Sequence, residues 1–377
     1  MKHMCISDQR LCVQYIVSTL AATGPTRQLL NIVTNLNRDR WSPHIVTLSP
    51  EPAESYEYTF EENDIPVVSL SLSRASGLIL GPSRLKSITQ QIEPDLIHTQ
   101  GIRSDSMAVH CLAGYPHVTT LRNFPPEDYI PRYGSVLGRL MVWQQFRAAR
   151  RADRAVACSE TIREKYAGRA VTTDAIRNGV DAYAYQPPTP AERRRIRERL
   201  GIDTDETVVV SVGGLIKRKD PVTVIEGFLR SGVSSAGKLL LLGDGPLKDQ
   251  CRSAANESVE VLGHVSDVGQ YLKAADVFVS ASHSEGLPNA VMEALATGTP
   301  IVLSDINPHR EILGVNPAAG ELFETSNVAA LARTLDRVVG TAKERRVPAR
   351  EIVDIELNAE IMTQRYESLY EEVIPDS

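Results

Sequence analysis

Short apolar runs alternate with amphipathic stretches along the first half of the chain. The runs are rich in Val, Ile and Leu, and turn-forming residues separate them. They predict strands at 13–18, 44–48, 67–70, 96–98, 117–121 and 155–158. Apolar residues at helical spacing are clearest at 27–37 and 84–91. This alternation of strands and helices predicts a parallel sheet that is covered by helices on both faces.

The same rhythm restarts in the second half of the chain, after a proline-rich segment. Residues 186–190 read Gln-Pro-Pro-Thr-Pro, and such prolines prevent a continuous helix or a central strand. Four further strands are predicted at 208–212, 239–242, 277–280 and 300–303. Because 377 residues are too many for one ordinary core, we expect two α/β domains, at 1–182 and 183–355.

Composition is typical of a soluble globular protein, and we expect it to stay in the cytoplasm. Hydrophobic residues make up 42% and charged residues 23% of the chain, and no apolar run approaches the roughly 18 residues that cross a bilayer. No signal-peptide stretch follows the first residues, Met1 to Cys5. The cysteines are scattered, which favours reduced thiols over disulfides or a zinc site. They are Cys5, Cys12, Cys111, Cys158 and Cys251.

The segment 284–300 carries the most informative chemistry. It reads Ser-Glu-Gly-Leu-Pro-Asn-Ala-Val-Met-Glu-Ala-Leu-Ala-Thr-Gly-Thr-Pro, a loop that runs into a short apolar helix ending before Gly298. The free N–H groups at such a helix start suit a phosphate. Glu293 would lie inside this apolar helix, where its carboxylate needs a partner. Ribose hydroxyls would supply one, and so would a neighbouring backbone N–H.

This segment resembles the signature of the retaining glycosyltransferases of family 4, which have the GT-B fold. The resemblance implies two Rossmann-like, doubly wound parallel-sheet domains facing a cleft, with a last helix at about 356–377 that joins the first domain. It also implies that Glu285 faces the transferred sugar and that Glu293 binds the ribose. Motif matches are dense from Gly213 to Glu311 and sparse before Ala155.

Residues 213–221, Gly-Gly-Leu-Ile-Lys-Arg-Lys-Asp-Pro, place three cations beside a glycine turn after a predicted strand. The loop suits a diphosphate, although a basic surface turn would have the same composition. The resemblance places Lys219 on the leaving diphosphate, where a cation stabilises the developing charge. The family has an arginine where this chain has Gly214, so the second cation is either missing or supplied by Lys217 or Arg218.

The first half contributes fewer candidates. Gly24 and Arg27 match the family's glycine-rich turn toward the donor, but a simple strand-to-helix connection would look the same. Arg122 stands where many relatives have a histidine, and it can hold an anionic acceptor but cannot act as a base. A mechanism assisted by the leaving phosphate is therefore expected. His98 ends a strand and is either an acceptor contact or a structural group.

The predicted site thus has three parts, and neither a cofactor nor a metal is expected. The catalytic candidates are Glu285, Lys219 and Arg218. The donor-binding candidates are Gly24, Gly213, Gly214, Lys217, Val265, Gly286, Leu287, Pro288, Asn289 and Glu293. The acceptor-side candidates are Arg122, His98 and Arg27. The acidic triplet at 203–205 precedes a strand and reads as a solvated turn, and 243–245 lacks the third glycine of a dinucleotide fingerprint.

We therefore expect transfer of a sugar from a nucleotide diphosphate, UDP by analogy, to a hydroxyl of a glycan or lipid-linked acceptor. A nucleotide-sugar epimerase, a phosphorylase or a non-catalytic nucleotide-binding subunit are the alternatives. The basic segment from Arg139 to Arg154, interleaved with Leu140, Trp143 and Phe146, suits peripheral contact with an anionic membrane. The same segment also suits an ordinary solvated helix. No nucleic-acid partner is expected.

Overall fold

The computed structural model describes residues 10–375, and the chain divides into two compact units. The first unit comprises the described residues up to Arg177 together with those from Glu360 onwards. The second unit is Asn178–Ala359. The chain thus leaves the first unit once and returns to it once, a few residues from the boundaries expected at 182 and 355.

The first unit is built on a seven-stranded parallel sheet in the order β3-β2-β1-β4-β5-β6-β7. The strands are β1 (Leu11–Val17), β2 (Trp41–Thr47), β3 (Val67–Ser69), β4 (Leu96–Gln100), β5 (His117–Leu121), β6 (Arg154–Ala157) and β7 (Asp174–Ala175). Neighbouring residues of β1 point into different cores, since Tyr15 and Ile16 belong to separate buried clusters. Both faces of this sheet are therefore covered.

Helices supply that cover. They are α1 (Gly24–Asn35), α2 (Glu57–Glu62), α3 (Arg74–Ile79), α4 (Gly81–Ile92), α5 (Ile102–Cys111), α6 (Pro125–Tyr133), α7 (Ser135–Ala149) and α8 (Glu160–Ala167). The first begins three residues before the predicted 27–37, because Pro25 fits the first helical turn, where a missing N–H costs nothing. The basic segment is helical only to Ala149, and Arg154 opens strand β6.

A buried polar network ties the C-terminal helix α17 (Ala359–Val373) to the first sheet. Nδ1 of His98 lies 2.6 Å from the hydroxyl of Tyr370, which lies 3.1 Å from the hydroxyl of Tyr15. Nε2 of His98 lies 2.7 Å from Oγ1 of Thr120, and that oxygen lies 2.9 Å from the hydroxyl of Tyr366. The network therefore links β1, β4 and β5 to two tyrosines of α17.

The second unit repeats the architecture with a six-stranded parallel sheet in the order β10-β9-β8-β11-β12-β13. The strands are β8 (Thr207–Val212), β9 (Gly237–Leu242), β10 (Val259–Gly263), β11 (Val277–Ser280), β12 (Ile301–Ser304) and β13 (Gly320–Phe323). The sequence pattern missed β10 and β13. Both are edge strands, and their partly exposed middles, Glu-Val-Leu and Glu-Leu, break the apolar run that marks a buried strand.

Helices on both faces complete the second unit. They are α9 (Pro190–Arg199), α10 (Pro221–Arg230), α11 (Lys248–Ala254), α12 (Val268–Ala274), α13 (Asn289–Ala296), α14 (Asn307–Leu313), α15 (Val328–Gly340) and α16 (Ala342–Ile352). A π-helical turn, Val353–Leu357, follows α16. The expected fold class of two doubly wound parallel-sheet domains is thus confirmed.

Two further features concern the described residues. Among residues 10–375, no helix is long and apolar enough to cross a bilayer. The described cysteines, Cys12, Cys111, Cys158 and Cys251, are thiols rather than disulfides. Cys5 and the chain start lie outside the described residues.

Replacing Tyr370 by Phe should destabilise the first unit by about 1–3 kcal/mol, because the buried His98 and Tyr15 lose a hydrogen-bond partner that water cannot replace. Trp41 and Trp143 both lie in this unit, so tryptophan fluorescence during urea unfolding reports on it. Tyr58→Phe is the control, since Tyr58 is 69% exposed. Equal unfolding free energies for the two variants would contradict a structural role of the network.

Candidate functional site

Loops at the carboxyl ends of β8, β9, β10 and β11 lie side by side in the second unit. Their backbones touch directly: the N–H of Gly213 donates to Leu242 O at 2.9 Å, and the N–H of Gly243 donates to Gly263 O at 2.8 Å. Gly243 has a φ of +142°, and a Cβ there would collide with the carbonyl oxygen of Gly213. Glycine is therefore required for this close approach.

Two cations of the loop after β8 meet the carboxylate of Glu285 in the loop after β11. Nζ of Lys219 donates to Oε1 at 2.5 Å, and Nη1 of Arg218 donates to Oε2 at 2.9 Å. The backbone N–H of His283 donates to the carbonyl of Arg218 at 2.8 Å. Two ion pairs and a backbone hydrogen bond thus join the loops, which lie more than sixty residues apart in sequence.

The Glu285 carboxylate is ionised although its side chain is only 7% exposed. Burial by itself raises the pKa of this carboxyl. The nearby Lys219 and Arg218 outweigh burial and lower the pKa from 4.5 to about 2. Since two cations face one carboxylate, the cluster carries a net positive charge at neutral pH. An anionic ligand is favoured next to such a cluster.

The helix α13 begins directly after this loop. Pro288 is its N-cap, and proline offers no side-chain acceptor to cap the first-turn N–H groups, which begin at Asn289. Leu287 is buried in the core, and its carbonyl accepts a hydrogen bond from Nδ2 of Asn178 at 3.2 Å. Sequence reasoning gave Asn178 no role, because its partner is a backbone atom 109 residues away.

Glu293 lies in the second turn of α13 and is 4% exposed. The buried setting predicted for this glutamate is thus present. Its neighbours along the helix, Val291, Met292, Ala294 and Leu295, all belong to the hydrophobic core.

The two histidines of this region differ in their surroundings. His309 is fully buried, and its Nδ1 donates to the carbonyl of Ser304 at 2.8 Å. Burial lowers the pKa of His309 to about 4, so its ring is neutral at pH 7. His283 is exposed, with Nε2 3.3 Å from Oδ2 of Asp220. Nδ1 of His309 thus has a structural partner, whereas its Nε2 is buried without a hydrogen bond.

The other donor candidates of the second unit lie on the same edge. Gly214 and Lys217 are exposed on the turn that carries Lys219, and Gly286 is half-buried next to Glu285. Val265 follows β10 and packs on the core. Within residues 10–375, no group of three His, Cys, Asp or Glu side chains is arranged to hold a metal ion.

In the first unit, Gly24 opens α1 beside a small cavity at the carboxyl end of β1. The cavity has a volume of about 210 Å³ and is lined by Val17, Ser18, Thr19, Ala21, Thr23, Pro25, Thr26, Leu29 and Gln100. Arg27 points its Nη2 to the hydroxyl of Tyr56 at 2.9 Å. Hydroxyls and a helix start thus surround a space that would accept a small polar group.

The other two first-unit candidates have different surroundings. Arg122 follows β5, and its Nε donates to Oε1 of Gln100 at 3.3 Å. This contact orients the amide of Gln100, which lines the cavity beside α1. His98 is fully buried, and Tyr370 and Thr120 already engage both of its ring nitrogens. His98 therefore presents no nitrogen to a ligand here, and the structural alternative is the one that its geometry supports.

Known protein families match both units. The model of the glycosyl transferases group 1 matches residues 192–351, and the model of the glycosyl transferase 4-like domain matches residues 23–179. The first match contains the Lys219–Arg218–Glu285 cluster and the whole of α13. The second match contains Gly24, Arg27 and Arg122.

Individual relatives agree with these families. TuaC of Bacillus subtilis, assigned to teichuronic acid biosynthesis, is 29% identical over 262 residues, or 67% of this chain. The UDP-Gal:alpha-D-GlcNAc-diphosphoundecaprenol alpha-1,3-galactosyltransferase of Escherichia coli is 30% identical over 43% of this chain. The matches span 64% and 44% of these two proteins' own lengths.

A solved structure shows the same fold. HepE of Anabaena, in complex with UDP-glucose, superposes with a TM-score of 0.80 over 96% of this chain and all of that one, at 19% identity.

Replacing Glu285 by Gln should change the pH dependence of stability. Because the folded pKa lies below its ordinary value of 4.5, Glu285 stabilises the fold fully above about pH 4.5, and this stabilisation is lost as the pH falls toward about 2. At pH 7 the variant should be less stable by about 2–3 kcal/mol. Denaturant unfolding followed by circular dichroism should show the difference closing between these pH values.

Glu257→Gln is the matched control, because Glu257 is exposed in the same unit. It should leave stability unchanged within about 0.5 kcal/mol at every pH. A stability difference for Glu285→Gln that stays constant from pH 7 to pH 2 would rule out the paired, ionised carboxylate.

Proposed function

We propose, since this chain belongs to the group 1 glycosyltransferase family, that it transfers a sugar from a nucleotide diphosphate donor to a hydroxyl of a glycan or lipid-linked acceptor. The observation that carries this proposal is the cluster of Lys219 and Arg218 around the buried Glu285, directly before the start of α13. Cations, backbone N–H groups at a helix start and a buried carboxylate are the groups that a sugar diphosphate requires.

The cluster gives each group a role in the transfer. Without donor, Lys219 and Arg218 are paired with Glu285. The donor's diphosphate competes for the same two cations, which leaves the Glu285 carboxylate able to accept hydrogen bonds from sugar hydroxyls. As the bond to the sugar breaks, negative charge grows on the leaving diphosphate, and Lys219 and Arg218 stabilise it. The first-turn N–H groups of α13 add to this stabilisation.

Glu293 is the proposed ribose ligand. Its carboxylate lies one turn further along α13 than the helix start that receives the diphosphate, and the ribose is the neighbouring part of a nucleotide donor. A buried carboxylate accepts hydrogen bonds from two adjacent ribose hydroxyls without a second charge.

Retention of the anomeric configuration is part of the proposal. Arg122 stands where relatives have a histidine, and an arginine stays protonated at ordinary pH. His98 has both nitrogens engaged, so it does not replace that histidine as a base. A leaving phosphate oxygen that takes the acceptor's proton needs neither a side-chain base nor a metal, and it delivers the acceptor to the face that the phosphate leaves.

UDP is the proposed nucleotide, and a surface polysaccharide or glycolipid intermediate is the proposed acceptor. The galactosyltransferase of E. coli uses UDP-Gal, HepE was solved with UDP-glucose, and TuaC is assigned to teichuronic acid biosynthesis. These names support the donor base and the acceptor class, not a particular sugar.

Two other classes remain as alternatives. A nucleotide-sugar epimerase or a phosphorylase would use the same donor groups without transferring the sugar to an acceptor hydroxyl. A non-catalytic sugar-nucleotide-binding subunit is favoured by the departures at Gly214 and Arg122, where the family has an arginine and a histidine. Such a subunit would bind donor and never turn it over.

Calorimetric titration of UDP, GDP and ADP should detect tight binding of one nucleotide, and EDTA should not weaken it. Glu293→Ala should weaken this binding by about tenfold or more, because the ribose hydroxyls lose a charged partner. Glu226→Ala, an exposed glutamate on α10, is the control and should bind normally. Absence of binding by all three nucleotides would contradict the proposed donor site. Loss of nucleotide binding on adding EDTA would contradict metal independence.

Lys219→Ala should lower the rate of donor turnover by about 100- to 1000-fold, because it removes a cation from the charge that develops at the leaving group. KM should also rise, because the same cation holds the diphosphate of the bound donor. Release of UDP from UDP-sugars, with water as the acceptor, provides the measurement. Lys273→Ala on α12 is the matched control. Retention predicts that the α-anomer of the sugar appears first in NMR spectra. Formation of an epimerised nucleotide sugar would instead identify an epimerase. Donor binding without any turnover would identify a non-catalytic subunit.

A further inference from the structure

The outward face of α7 in the first unit is apolar. Val136 is 84% exposed, Leu140 56% and Trp143 56%, and their spacing of i, i+4 and i+7 places them on one stripe of the helix. Leu137, beside this stripe, is 52% exposed. Large apolar side chains that are exposed together, rather than singly, mark an interaction surface.

This stripe is not the side of α7 that packs on the unit. Phe146, Ala148 and Ala149 are buried on the inner side, and Nε2 of Gln145 donates to Oδ2 of the buried Asp105 at 2.6 Å. Gly138 touches the neighbouring helix so closely that a Cβ would lie 2.7 Å from backbone atoms of α6. The helix is thus firmly docked by one side. Packing on the unit accounts for the apolar residues of the inner side. It does not account for the exposed apolar residues of the outer stripe.

Arginines lie beside this stripe on α7 and on the neighbouring helix α6. From Tyr129 to Ala152 the chain has five arginines and neither aspartate nor glutamate. Arg132 and Arg139 are exposed, and the guanidinium of Arg147 lies 5.4 Å from the ring centroid of Trp143. Two other arginines of the basic segment have different roles, because Arg150 donates to the carbonyl of Arg169 at 2.8 Å and Arg154 belongs to β6.

We propose that the outer stripe of α7, with Arg132, Arg139 and Arg147, docks onto an anionic lipid bilayer. The helix lies in the interface, with Val136, Leu140 and Trp143 entering the headgroup layer and the arginines contacting lipid phosphates. This inference rests on the proposed function in one respect, since docking brings the first unit to a lipid-linked acceptor.

A bilayer fits this surface better than a protein partner does. Tryptophan flanked by arginine is the combination that prefers the membrane interface, where the ring lies among headgroups and the cation meets phosphate. A second copy of the chain would bring Arg132, Arg139 and Arg147 against the same three arginines of its twin, with no acidic residue between Tyr129 and Ala152 to offset them.

Vesicle binding of the full chain tests the proposal, and its two tryptophans make the contact visible. Trp41 is fully buried, whereas Trp143 is exposed, so brominated lipids should quench Trp143 alone. The intact protein should sediment with phosphatidylcholine vesicles that contain phosphatidylglycerol and not with pure phosphatidylcholine, and added salt should weaken binding. Quenching should disappear in Trp143→Phe.

Two variants separate the apolar and the charged contributions. Arg139→Gln with Arg147→Gln should lower the partition coefficient by about thirtyfold, because each cation near an anionic surface contributes about fivefold. Val136→Ser with Leu140→Ser should lower it by about tenfold or more. The matched controls are Arg333→Gln and Val347→Ser, which change an exposed arginine and a 66% exposed valine of the second unit. Both controls should bind as the intact protein does.

Three results would overturn the proposal. They are no binding by the intact protein, equal binding by the α7 variants, and a dimer in sedimentation velocity that Leu140→Ser dissolves. Nucleotide titration of the same samples keeps this inference apart from the proposed function. Vesicle binding without nucleotide binding would support the docking surface and contradict the proposed transferase. Nucleotide binding without vesicle binding would support a transferase that does not use this surface.

Discussion

The burial of one carboxylate between two cations is the interaction on which the second unit's site depends. An isolated buried carboxylate would take up a proton, but Lys219 and Arg218 keep Glu285 ionised with a pKa of about 2. Holding these charges together requires two loops at fixed positions, and the hydrogen bond from the His283 N–H to the Arg218 carbonyl joins the loops after β8 and β11. In the proposed function, the donor's diphosphate replaces the carboxylate as the partner of both cations.

The two units share one architecture but place different residues at the carboxyl ends of their strands. In each, parallel strands end at a common edge, so residues far apart in sequence meet there. At that edge the second unit places an ionised cluster and a helix start. The first unit has a buried His98 with two tyrosines of α17 inside, and a small polar cavity at the start of α1. Both ring nitrogens of His98 have hydrogen-bond partners, so its burial leaves no polar atom of the ring unpaired. The network also connects the chain's last helix to its first sheet.

The two sides of helix α7 differ in what they contact. Its inner side is fixed by Phe146, by Gln145 on the buried Asp105 and by the close approach at Gly138. Because the inner side is fixed, Trp143 and Leu140 stay exposed to water, and the exposure of these apolar side chains is energetically unfavourable. A transferase that takes its acceptor from a bilayer gains from this arrangement, because the apolar stripe is unfavourable in water and favourable in a headgroup layer.

The sequence alone determined the fold class, most strands of both sheets and the helix that carries Glu293, because buried parallel strands and apolar helices leave strong local patterns. It missed the edge strands β7, β10 and β13, because β7 has only two residues and the exposed residues of the other two break the apolar run. It named Glu285, Lys219 and Arg218 as catalytic candidates. Only the tertiary structure decided that these three side chains meet in one cluster, that Asn178 holds Leu287, that His98 is enclosed and that Trp143 is exposed. Each of these depends on contacts between distant segments, and no local pattern encodes which side chain another one meets.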